Sequence, residues 1–210
     1  MTLSTDLVTV DQVAAHLNWS TAQQTKYAAE MALFISATTA VVEDISGPVV
    51  QRSFDEWYSG GAPRLQLNNY PVVSITSVDE SYGGDVVWTL SEQVLDSGSG
   101  DMFGYTVDLA HGMLVRRASH VAMPFAPGVK NVHVVYVAGM CADTASVPPN
   151  IQLGALEIIR YNWQPQQGGN RPAMGQTDLV VTDSVTHRGF FVPNRVVEIL
   201  RPNANRFGIA

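Results

Sequence analysis

Between residues 21 and 46 the apolar positions recur at spacings of three and four. Ala28, Met31, Ala32, Ile35, Thr38, Val42 and Ile45 form one stripe, and Lys26, Glu30, Glu43 and Asp44 fall mostly off it. This pattern predicts the central helix of the fold. Ser20 and Gln23 have the spacing of a reciprocal cap at its start, and Gly47 followed by Pro48 stops it. A shorter helix is predicted over residues 9–18, where Thr9 and Gln12 fit a capping box and Val8 and Val13 a hydrophobic staple. Asn18, Trp19 and Ser20 connect the two as a helical hairpin.

After Gly47 the period changes from 3.6 to 2. Val50, Arg52 and Phe54 alternate with Val49, Gln51 and Ser53 as in a strand, and residues 55–63, with Gly60, Gly61 and Pro63, read as a loop. Leu65 and Leu67 straddle Gln66, residues 68–71 turn the chain, and the β-branched run 71–78 is a second long strand. Gly83 and Gly84 mark a hairpin tip before Val86 to Leu90 returns, so an antiparallel meander is predicted. Residues 91–104 are polar and glycine-rich, which reads as an exposed loop. Residues 105–109 and 112–116 pair around Ala110 and His111, and residues 131–139 form another alternating strand.

Pro149 suits the first turn of a third helix, predicted over residues 149–163, with Ile151, Ala155, Ile158 and Asn162 on one face. Gly154 interrupts it, either to admit a neighbouring helix or incidentally. Residues 164–176 carry Gly, Pro and Gln without periodicity and read as a linker. Residues 177–210 begin strand-like at Asp178 to Thr182, contain a short helical run from Pro193 to Leu200 stopped by Pro202, and are too few to own a core. They form a C-terminal arm, which either docks on a partner or folds back on its own chain. The predicted class is therefore α+β. A helical bundle from residues 6–47 and 147–163, with a β-rich insertion over 48–140, makes a core spanning 1–163.

Composition narrows the function classes. The chain has 210 residues, 46% of them hydrophobic and 15% charged, enough to bury a core. It begins acidic and polar rather than with a basic, apolar leader, and has no apolar run long enough to cross a bilayer, so synthesis in the cytoplasm and no membrane contact are expected. The lone Cys141 permits no intrachain disulfide. Charge is uneven: residues 1–110 hold 3 basic and 14 acidic side chains, and residues 111–210 hold 9 and 5. Opposite signs at two ends suit oriented docking in a stack. Arg116 and Arg117 are the one adjacent basic pair, without interleaved aromatics, so sequence-specific nucleic-acid binding is not expected.

Candidate chemistry is sparse. Nucleophile-elbow, phosphate-loop and dinucleotide motifs are absent. His16, His111, His120, His133 and His187 are scattered, with no metal-ligand spacing. The adjacent acids Glu43 and Asp44, Asp55 and Glu56, and Asp79 and Glu80 read as solvated or helix-end charges, and Cys141 as a small packing residue. No catalytic residue, metal site or cofactor is predicted.

The order of signals carries a resemblance. Leu65-Gln66-Leu67, the strand from Pro71 to Val78, the hairpin from Tyr105 to Leu114, the strand from Val132 to Gly139, and Val147 to Trp163 follow the two N-terminal helices. Val192-Pro193-Asn194-Arg195 to Leu200-Arg201-Pro202 closes the series. Together they resemble the head-tail connector, or adaptor, proteins of long-tailed bacteriophages. The resemblance implies a non-enzymatic virion protein, assembled in the host cytoplasm as a dodecameric ring beneath the portal protein. Such a ring extends the DNA channel and offers a platform to stopper or tail-terminator proteins. It places the portal contact on the C-terminal segment, here Phe190, Phe191, Arg195, Arg201, Arg206 and Phe207. Residues 91–104 and 164–176 depart from the shorter members. The competing readings are a tail-completion or capsid-associated structural protein and a hydrolase.

Overall fold

Thr9 opens the first helix by the reciprocal bonding its sequence predicts. The Gln12 amide donates to Thr9 Oγ1 at 3.2 Å, and the Thr9 amide donates to Gln12 Oε1 at 2.8 Å. This is a computed structural model, which describes residues 5–83, 86–93, 104–118, 121–167 and 192–200. The chain divides into two units, residues 1–46 with 144–210, and residues 47–143.

The first unit is helical. α1 (Val10–His16) leads through Asn18, whose φ of 54° reverses the chain, into α2 (Thr21–Ser46). Asparagine tolerates that left-handed backbone better than most residues. Ser20 and Gln23 repeat the reciprocal cap, and Gly47, at φ 83°, ends α2. Met31, Ala32, Ile35, Thr38, Thr39 and Val42 face inward along α2. Ahead of α1, Leu7 and Val8 are buried, and the Leu7 amide donates to Thr39 Oγ1. Asp6 is buried with them; Ser36 donates to its carboxylate and Thr144 to its carbonyl.

A 3₁₀ turn (Thr144–Ser146) precedes α3 (Pro149–Gln167), whose Ile151, Ala155, Ile158, Ile159 and Trp163 are buried. The Trp163 ring lies 5.5 Å from Trp19, 5.7 Å from Tyr27 and 5.5 Å from Phe34. These tilted and edge-on contacts are favourable aromatic geometries. They hold the end of α3, which continues four residues past its predicted limit, so residues 164–167 are helix rather than linker. Residues 168–176, and the strand expected near Asp178, lie outside the described residues. α4 (Asn194–Leu200) completes the unit.

The second unit holds two sheets. Its strands in chain order are β1 (Arg52–Tyr58), β2 (Arg64–Gln66), β3 (Val72–Ser81), β4 (Val87–Thr89) and β5 (Ser91–Glu92). They continue with β6 (Gly104–Asp108), β7 (Met113–Ala118), β8 (Val121–Ala122) and β9 (Val132–Ala138). One sheet is ordered β1-β9-β3-β4, and the other β2-β7-β6-β5 with β8 beside β7. The expected meander is corrected: β9, last in sequence, sits between β1 and β3 and pairs antiparallel with both. Its alternate residues Val132, Val134, Tyr136 and Ala138 are fully buried, and a strand that apolar is best placed centrally.

β1 also runs on where a loop is predicted. Residues 55–58 continue the alternation, with Phe54, Glu56 and Tyr58 on one face and Asp55 and Trp57 on the other. The β6–β7 hairpin forms as expected, its turn held by Asp108, which accepts from the Ala110 amide and pairs with His111 Nδ1 at 2.8 Å. Asp108 is thereby held below the usual carboxylate range. The ends of the long predicted loop are β5 and the start of β6, which pair in parallel. Residues 94–103 and the hairpin-tip Gly84 lie outside the described residues. Leu65, Leu67, Val78, Leu90, Tyr105, Leu114, Phe125 and Tyr136 belong to this unit's core.

Candidate functional site

Two polar constellations fix the β-rich unit, and neither is visible as a motif. Glu80 and Arg116, 0% and 1% exposed, form an ion pair inside it. Arg116 Nε lies 3.0 Å from both Glu80 carboxylate oxygens, Nη2 also donates to Oε1, and the Ala126 amide donates to Oε2 at 3.1 Å. The hydrogen bonds to Glu80 hold the guanidinium proton still more firmly than usual. Two expectations are corrected here. Glu80 is not a solvated charge, and Arg116 is not available to a basic surface, because each neutralises the other inside the core.

Glu56 is the second centre. Tyr58 and Tyr136 hydroxyls donate to its Oε2, and Asn69 Nδ2 donates to Oε1 at 3.1 Å. The Asn68 and Asn69 amides donate back to the Tyr58 and Tyr136 hydroxyl oxygens. The turn leading to Pro71 is thus tied to β1 and β9. Burial, with the bond to Glu56, raises the Tyr58 and Tyr136 phenols above their ordinary value. Burial and the charge of Glu92 push Tyr105 up to about 12.

A pH dependence follows. A phenol whose pKa is raised on folding contributes stability that is whole below its unfolded value, near 10, and lost as pH rises through the folded one. For Tyr105 that window is pH 10 to about 12. The unit is expected to lose stability across it, with tyrosinate absorbance rising together with the loss of tertiary fluorescence. Unchanged denaturation midpoints from pH 9 to 12 contradict this.

The histidines do not converge. His133 stacks on Trp57 with 4.4 Å between ring centroids, and its Nε2 lies 2.7 Å from Asp55. His16 is partly buried on α1, His111 belongs to the β6–β7 turn, and His120 and His187 lie outside the described residues. Among the described residues no group of three His, Cys, Asp or Glu side chains is placed to hold a metal ion. Cys141 is buried, its thiol donating to the Val49 carbonyl, and burial raises its pKa, which suits packing rather than reactivity.

The surfaces are more informative. In the β-rich unit Tyr82, Val86, Val87 and Trp88 are exposed at and before the edge strand β4, and Trp57, Val121, Met123 and Val129 are exposed elsewhere, Val129 at 85%. Isolated apolar side chains on a surface are ordinary, but an exposed edge strand flanked by aromatic and β-branched residues is a pairing liability in a free monomer.

In the helical unit the notable element is α4. Of the six residues expected to touch a portal, Arg195 is described and is exposed on α4; Phe190, Phe191, Arg201, Arg206 and Phe207 lie outside the described residues. Pro193 O accepts from the Val196 and Val197 amides and starts the helix. Val196 and Leu200, four apart on one face, are buried against α3. Gly154 makes room for them: a Cβ built there would lie 2.8 Å from Leu200 Cδ2 and 3.5 Å from Val196 Cγ1. Asn150 Nδ2 donates to the Ile199 carbonyl at 3.2 Å, satisfying one acceptor that a helix end leaves open. Of the two readings of Gly154 the close approach holds, and residues 194–200 of the arm fold back on their own unit.

No family model and no curated protein matches the chain. Solved structures do. A chain in the neck of an empty gene transfer agent (GTA) particle, computed with C6 symmetry, matches 80% of this chain and 84% of its own length, with TM-score 0.58 and 17% identity. The fold is shared with a particle-neck chain. A chain in the virion of a native GTA particle matches over 91% and 88% with TM-score 0.53 and 15% identity. One in the neck of a native GTA particle, computed with C12 symmetry, matches over 94% of each chain with TM-score 0.52 and 13% identity. Among the described residues no helix is long and apolar enough to cross a membrane.

Proposed function

We propose that this chain is a structural component of the neck of a phage-like particle, a ring beneath the portal that joins the DNA-filled head to the tail. The observation that carries the reading is the match in fold along nearly the whole chain to a neck chain in a C12 assembly. That fold was expected from the order of motifs in the sequence. Two further features support it. Exposed apolar side chains around β4 are suited to lateral contacts between copies. The ordered polar networks serve to rigidify strands and turns, as a scaffold requires, and the reading assigns no catalysis and no cofactor.

In this reading the C-terminal segment meets the portal through Phe190, Phe191, Arg195, Arg201, Arg206 and Phe207, with α4 as its anchor. A stopper or tail-terminator protein meets the opposite face. DNA passes along the channel without being read. Assembly takes place in the host cytoplasm before release of the virion. The test is genetic. Particles produced without this chain are expected to accumulate as filled or leaking heads and separate tails in electron micrographs. Normal yields of joined particles would overturn the reading.

A further inference from the structure

We propose that in the assembled ring α4 of each chain occupies the α3 groove of a neighbouring copy, so that the ring is tied together by exchanged helices. The inference rests on the ring reading above and names the contact that closes it. Its starting point is the specificity of the seat: Gly154 leaves the space that Leu200 and Val196 fill, and Asn150 bonds the last turn through the Ile199 carbonyl. This groove is shaped for this helix. The helix, in turn, depends on the groove, because a single seven-residue helix does not persist alone in water.

The length of chain between groove and helix separates the two. From Gly154 to the end of α3 at Gln167 is about 20 Å at 1.5 Å per residue, and one helix packing distance adds about 10 Å. Roughly nine extended residues cover that route. The sequence places 24 residues, 168–191, between the described end of α3 and Val192, and these reach about 80 Å when extended. The surplus dilutes α4 about its own groove and brings an adjacent groove within reach. Exchange keeps every contact of the seat. In a closed ring each copy gives one helix and receives one, so no groove is left empty.

The test uses full-length chains with Cys141→Ser, assembled on purified portal rings. The Cβ built at Gly154 lies 3.3 Å from Leu200 Cγ, a spacing compatible with a disulfide between cysteines at the two positions. Chains carrying only Gly154→Cys are mixed with tagged chains carrying only Leu200→Cys, oxidised, and run without reductant. Exchange predicts that, in an equal mixture, about half of the chains in the ring fraction migrate as mixed covalent dimers, the share that random neighbours allow. A chain carrying both substitutions reports the seat itself: exchange gives a ladder of linked chains. Rings that form, with the doubly substituted chain closing internally and the mixture staying monomeric, overturn the exchange and leave the ring reading standing. If no variant, and not the parent chain, joins the portal, the ring reading fails and the exchange with it.

Discussion

Arg116→Ala is expected to destabilise the β-rich unit by about 3–5 kcal/mol, the usual cost of leaving one partner of a buried ion pair uncompensated. Glu80, 0% exposed, would keep the Ala126 amide and lose the guanidinium that neutralises it. Against a total stability of about 5–15 kcal/mol for a native protein, such a loss approaches unfolding. Glu80→Ala is expected to cost a similar amount by orphaning the guanidinium. Replacing both by leucine is expected to cost clearly less than either single change, because no unpaired charge remains. Urea denaturation followed by tryptophan fluorescence measures all three. A loss below about 1 kcal/mol for Arg116→Ala, the range of an exposed pair, contradicts the burial of this one.

Leu200→Asp is expected to abolish recruitment to portal rings while leaving the β-rich unit's denaturation unchanged. A carboxylate in the seat beside Gly154 lacks a partner, and an unpaired buried charge costs more than the Val196 and Leu200 side chains gain by burial. α4 would leave α3, and the residues on either side of it would lose their anchor. A chain ending at Gln176 is expected to fail in the same way, and also to bind apolar dyes, since the α3 face under Val196 and Leu200 is uncovered. Co-sedimentation with portal rings, beside dye fluorescence, checks both variants. Recruitment of Leu200→Asp at the parent level would show that the seat of α4 has no part in docking.

The helical hairpin was legible because its signals are local. Thr9 with Gln12, Ser20 with Gln23, and Gly47 lie within a few residues of the bonds they make. Strand order was not, because the partner of β3 is a strand some fifty residues downstream and pairing over that distance leaves no mark on either sequence. The buried ion pair does leave a signal in the sequence. Glu80 is in phase with Val78, and Arg116 with Leu114, so period-two alternation places both charges on the apolar face of their strands. Adjacent acids and adjacent arginines look like pairs along the sequence, yet neighbours along a strand point to opposite faces. Glu56 is hidden for another reason: Gly60, Gly61 and Pro63 make residues 55–63 read as a loop, while its carboxylate is satisfied by tyrosines on β1 and β9 and by Asn69.

For the arm, the helix from Pro193 to Leu200 was legible, and so was the anomaly of Gly154 inside α3. That the one fills the space left by the other is a tertiary fact, since nothing in either stretch names its partner. The exposed β4 edge is likewise a property of the assembled sheet, appearing once β9 has taken the central place that a meander would have denied it.

The most direct measurement is sedimentation of the purified full-length chain with purified portal rings, followed by negative-stain imaging of the complex. The neck reading predicts co-sedimentation and a second ring stacked on the portal along a common axis. Portal rings that sediment bare, with this chain remaining at the top of the gradient, would contradict it.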